Sequence, residues 1–131
     1  MGKYRTIKDF TDLECWKLAR KVRIEVYKIV KLLPTEEKYD LGSQMRKAAV
    51  SSTSNIAEGH GRYHFQENIR FCRISRGSLY EIRDQLITCF DEKYITRDHF
   101  SRVYELAIQA AKTLNGYIRY LRNQKNQNNS N

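Results

Sequence analysis

In four separate segments of this chain, apolar side chains recur every three or four residues, and that spacing most constrains the fold. Steps of three and four place side chains along one stripe of an α-helix, and each stripe must be buried against a neighbour. The first stripe is Leu13, Trp16, Ala19, Val22, Val26, Ile29, Val30 and Leu33. The second is Leu41, Met45, Ala48, Ser52 and Ile56. The third is Phe65, Ile69, Cys72, Leu79, Ile82, Leu86 and Phe90, and the fourth is Phe100, Val103, Ala107, Ala110, Leu114, Ile118 and Leu121. No segment shows the period of two that a half-buried strand requires. The spacing predicts helices over about 12–33, 40–58, 64–91 and 96–121.

The punctuation agrees with this reading. Thr11-Asp12-Leu13-Glu14 has the hydroxyl and carboxylate spacing of a capping box at the first helix start. Pro34, the one proline, ends that helix, because the residue before a proline is pushed out of helical geometry. Gly59 suits the left-handed position that closes the second helix, and Gly61 can complete the turn. Short connections make consecutive helices pack antiparallel. The expected organisation is a basic arm (1–10), an all-α four-helix bundle (11–122) and a polar tail (123–131). The tail carries no apolar residue and is expected to be disordered.

Composition narrows the function. The net charge is +9 in 131 residues, a balance that favours polyanions over acidic small molecules. No apolar run is long enough to span a membrane, and the first ten residues lack the apolar core of a signal peptide. Cys15, Cys72 and Cys89 are odd in number and far apart, which suits a reduced, cytoplasmic setting. The positive excess lies on the first helix, with Lys17, Arg20, Lys21, Arg23 and Lys28, and on the fourth, with Lys112, Arg119 and Arg122. Those helices are neighbours in an up-down bundle, so these eight residues are the candidate nucleic-acid contacts. Arg70, Arg73 and Arg76 form a second basic ridge on the third helix. No base-reading motif accompanies them, so binding should have low sequence specificity.

The stretch SNIAEGHGR, residues 54–62, could be a site or a joint. Glu58, His60 and His64 could be drawn as metal ligands, but the spacings that carry weight for zinc are absent. A joint explains more. Glu58 sits at the negative end of the second helix and needs a cation; Arg62, Arg46 and Arg76 are candidates. Asn55 can bond to backbone in the turn or across to a neighbouring helix. Gly77 in mid-helix costs about 1 kcal/mol against Ala, which makes sense where another backbone crowds it. Glu81 lies beside the apolar line and is expected to pair with Arg46 or Arg76. No nucleophile, base and orienting group occur as a set, so no enzymatic activity, cofactor or small-molecule substrate is expected.

The residues YDLGSQMRKAAVSSTSNIAEGHGR, then FCRISRGSLYEIRDQL, with DLECWKLA at the start, carry a family resemblance. The chain resembles the four helix bundle protein family, also called the 23S rRNA intervening-sequence protein family. Its most specific pieces here are Gln44-Met45-Arg46, Asn55 to Gly59, Arg62, and Gly77-Ser78-Leu79 with Glu81. Ser52-Thr53 stands where relatives often carry Ile-Pro, the site of a possible kink. The resemblance implies an up-down-up-down left-handed bundle and a ring-shaped homopentamer. It also implies kinship to the accessory variability subunit of diversity-generating retroelements, which binds nucleic acid and a reverse transcriptase. Two readings follow: a self-assembling nucleic-acid binder, and a protein-binding adaptor such as an accessory subunit of a reverse transcriptase.

Overall fold

The structure, a computed structural model, describes residues 2–130. Four long helices dominate: α1 (Glu14–Leu32), α2 (Leu41–His60), α3 (Phe65–Asp91) and α4 (Arg97–Ser130). No strand occurs among the described residues. Helix α1 packs against α2 and α4, and α3 packs against the same two, which closes a four-helix bundle. The stripes meet along its axis, where Val22, Val26, Ile29, Met45, Ile56, Leu79, Ile82, Leu86, Val103 and Leu114 are wholly buried. Leu41, Phe65, Phe90 and Phe100 are half-buried, at or near the helix ends where the bundle opens.

The start of α1 differs from the expected capping box. Leu13 is buried to 1% exposure and occupies the cap position in extended geometry. Burial of this side chain fixes the entry to α1, so the polar turn forms one step earlier. There the Asp12 carboxylate accepts hydrogen bonds from the backbone N–H groups of Lys8 (3.0 Å) and Asp9 (3.1 Å). These bonds hold Asp12 below the ordinary carboxylate range.

The tail also differs. Helix α4 continues to Ser130, where composition predicts disorder. Extending an existing helix avoids the cost of nucleation, which offsets the modest helix propensity of the four asparagines in this segment. The basic arm is partly structured as well. Residues Gly2–Arg5 form a helical turn, and the Tyr4 ring lies 5.6 Å from that of Tyr117 and 4.3 Å from that of Tyr120.

Helices α2 and α3 meet through small polar side chains. Ser75 donates to the Ser52 carbonyl (2.6 Å), and Ser78 donates to the Ser51 hydroxyl (2.8 Å). Asn55 reaches back one turn within α2 to the Ser51 carbonyl and hydroxyl, both at 2.9 Å, and does not cap the following turn. No break occurs at Ser52-Thr53; their hydroxyls donate to the carbonyls of Ala49 and Val50 inside an unbroken helix.

The crowding expected at Gly77 is found at Gly59 instead. Gly59 lies inside α2, and no glycine among the described residues has positive φ. What requires a glycine there is space: a Cβ would sit 2.6 Å from Asn68 Oδ1 and 3.0 Å from the Asn68 carbonyl oxygen and Phe71 Cβ. Gly77, expected to be crowded, has no atom within 4 Å of that position.

Candidate nucleic-acid interface

The turn between α2 and α3 is organised around Arg62. Its guanidinium meets Glu58 at 2.9 Å and Glu67 at 3.7 Å, and lies 5.0 Å from the Phe71 ring centroid. Glu58 therefore finds its cation four residues along the chain. Arg46 and Arg76 are engaged elsewhere. Arg46 donates to the Lys38 carbonyl (3.5 Å) near the opposite end of α2, and Arg76 donates to Asn115 of α4 (2.8 Å). Glu81, expected to pair with one of those arginines, instead accepts from Gln85 (3.2 Å) one turn on in α3. The pairing by sequence fails because a long arginine side chain takes the nearest acceptor, and helical spacing alone does not say which that is. Among the described residues, no group of three or more His, Cys, Asp or Glu side chains is placed to hold a metal ion.

The eight cations proposed on the first and fourth helices divide into distinct sets. Lys17 pairs with Glu14 (3.4 Å), and Lys28 pairs with Glu25 (3.2 Å). Arg23 turns to the neighbouring helix α2 and donates to the Thr53 hydroxyl (2.9 Å). Glu25 also binds Arg102 (2.7 Å), so the seam between α1 and α4 is partly neutralised. Burial opposes ionisation of Glu25, but hydrogen bonds from Arg102 and Lys28 outweigh it and hold the carboxyl below its ordinary range. Arg20, Lys21, Lys112, Arg119 and Arg122 are exposed. None of these five forms an ion pair among the described residues.

A more concentrated basic surface lies between α3 and α4. A groove of about 450 Å³ is lined by Arg70, Arg73, Arg122 and Lys125, with His64, Gln66, Glu67 and Ile69. Glu67 is the one carboxylate in that lining, and it faces Arg62. Sequence reasoning marked Arg70 and Arg73 as a ridge and Arg122 as a contact, but assigned them to different surfaces. It missed Lys125, which was placed in a disordered tail. The signal that could have found it is the helical step of three from Arg122 to Lys125, continuing past Leu121.

The thiols are not reactive centres. Cys15, Cys72 and Cys89 are all buried. Burial pushes Cys15 and Cys72 up to about 12 and Cys89 up to about 11, so almost no thiolate forms near neutrality.

A closed four-helix bundle with a basic groove along one seam defines the class: an all-helical scaffold whose distinctive surface is electrostatic. The family model for the 23S rRNA-intervening sequence protein matches residues 11–116, and the chain belongs to that family. A crystal structure of a protein with unknown function from the S23 ribosomal protein family, from Bacteroides thetaiotaomicron, is similar in fold. It is 17% identical, with a TM-score of 0.74 over 79% of this chain and 97% of that one. At this identity the likeness establishes the fold alone. No match was found among curated proteins. No helix among the described residues is long and apolar enough to cross a membrane.

Proposed function

We propose that this chain is a non-enzymatic, self-assembling basic bundle that binds RNA or DNA with low sequence specificity. The observation that carries this reading is the α3–α4 groove, where four cations face one carboxylate already engaged by Arg62. Cations outside ion pairs attract the phosphate backbone and release its counterions, a contribution that does not depend on base sequence. The exposed Lys112 and Arg119 lie on the same helix as Arg122 and extend the positive field beyond the groove.

Self-assembly rests on a different face. Val50 of α2 and Ile74 and Ile87 of α3 are exposed apolar side chains, and Gly77, one turn on from Ile74, has no atom within 4 Å of its Cβ position. A second copy seated there would bury this surface, and repetition of one such contact closes a ring such as a homopentamer.

Gel shift with a generic RNA at low salt, together with light scattering on the eluting species, tests both parts. The expected result is a defined oligomer that shifts RNA irrespective of sequence. An oligomer that ignores RNA would move the function to the adaptor reading, docking on a protein such as a reverse transcriptase. A monomer that ignores RNA would defeat both readings.

A further inference from the structure

Next to the basic groove, the same end of the bundle contains a cavity of about 230 Å³. Its walls are largely aromatic: Tyr4 from the N-terminal turn, Phe65 from the start of α3, and Tyr117 and Tyr120 from α4. Tyr117 is nearly buried, and its hydroxyl accepts a hydrogen bond from Asn68 (3.1 Å). These contacts fix it as a rigid wall. Tyr63 is the opposite case. It also lines the cavity, yet it is 99% exposed, a large ring left in water at the rim. His60 and Arg62 add polar groups to the lining.

The cavity adjoins the cationic surface at His64. His64 lines it, lines the α3–α4 groove, and lines a third depression shared with Tyr63, Gln66 and Lys125. Helix α3 begins at this point, and the His64 side chain does not cap it. The N–H groups of its first turn therefore add to the positive field of Arg70 and Arg73. An aromatic slot beside a row of cations matches one ligand chemistry: a flat base joined to phosphates. A base held in a duplex cannot enter such a slot; an unpaired base can stack in it.

We propose, on the footing of the nucleic-acid reading above, that this cavity takes one unpaired nucleobase of a single strand. The flanking phosphates lie along Arg70, Arg73, Arg122 and Lys125. Tyr63 closes over the base as a stacking ring, with the Tyr4, Phe65 and Tyr120 wall beneath it. The pocket selects strandedness, and the groove supplies affinity that is blind to sequence.

The test uses the full chain and short labelled oligonucleotides of one sequence, as single-stranded RNA, single-stranded DNA and duplex, followed by fluorescence anisotropy. Tyr63→Ala should weaken both single strands by about 5- to 100-fold, the range expected for loss of one stacking contact. Its melting curve and duplex affinity should match the parent, and Tyr63→Phe should keep single-strand affinity. A loss confined to RNA also supports the pocket and adds recognition of the 2′-hydroxyl. If Tyr63→Ala binds single strands as the parent does, or loses single strand and duplex equally, the pocket is wrong. In that case, weakening by Arg73→Ala with Arg122→Ala would leave the broader nucleic-acid reading standing. A parent that binds no oligonucleotide at low salt overturns both together.

Discussion

The two ends of the bundle are made from the same kind of helix termini and turns, yet they differ in charge and in filling. At the end where α2 turns into α3, residues 58–73 and 119–125 carry six cations against two carboxylates. At the opposite end, residues 31–40 and 91–98 carry four cations against six carboxylates. The acidic end also carries packed aromatic side chains. Phe90 and Phe100 stack at 5.0 Å, Arg97 lies 5.2 Å from the Phe90 ring centroid, and Tyr94 donates to Glu37 (3.1 Å). Burial, and then the Glu37 carboxylate, push the Tyr94 hydroxyl above its ordinary value. The basic end instead keeps an aromatic cavity with an exposed tyrosine at its rim. A bundle can plainly close an end with stacked rings, as this one does at Phe90 and Phe100. Folding therefore does not require the hollow, cationic arrangement at the other end, which is why the proposed binding site is placed there.

Charge reversal should break the comparison most sharply. Arg73→Glu with Arg122→Glu should weaken RNA binding by more than about 100-fold at low salt, since each lost phosphate contact also becomes a repulsion. The same change of sign at the acidic end, Glu36→Lys with Glu37→Lys, should cause no loss, and binding isotherms for the two variants check this. Next in size is the seam beneath the basic end. Gly59→Ala forces a Cβ against Asn68 and Phe71 and should cost about 1–3 kcal/mol by denaturant melting. Gly77→Ala, with open space around it, should instead stabilise the isolated subunit by about 0.5–1 kcal/mol.

Smaller effects sharpen the electrostatic side. Glu25, 14% exposed, links α1 to α4 through Arg102, so Glu25→Gln should cost roughly 1 kcal/mol at neutral pH. Its carboxyl is held below the ordinary value, so that stabilisation is present above the unfolded value and is lost as pH falls through the lowered one. The melting difference between parent and variant should accordingly close in acid. The smallest effect is expected for Glu58→Gln. Its pair with Arg62 is about half exposed on both sides, and melting should change by less than about 1 kcal/mol.

The bundle was legible because four long stripes at helical spacing admit one arrangement of buried faces. Helix ends were less legible where tertiary burial overrides local signals. Leu13 is the example: its burial moves the polar turn from Thr11 to Asp9. Composition misjudged residues 123–130, since a polar sequence does not prevent an existing helix from continuing. The site was the least legible part. Arg70, Arg73 and Arg122 are visible as basic residues, but only the packing of α3 on α4 brings them to one groove with Lys125. Gly59 reads in sequence as a turn glycine and Gly77 as a crowded one, and only the neighbouring helix shows that the crowded one is Gly59.

The central claim is that cations in the α3–α4 groove hold a phosphate backbone. The salt dependence of single-stranded RNA binding tests it most directly. With three or four phosphates contacted, log affinity should fall against log salt with a slope of about −2 to −3. Each of Arg70, Arg73 and Arg122 changed to Ala should make that slope shallower by about 0.7. A slope identical in the parent and in the triple variant, or no binding at the lowest salt, would contradict the account.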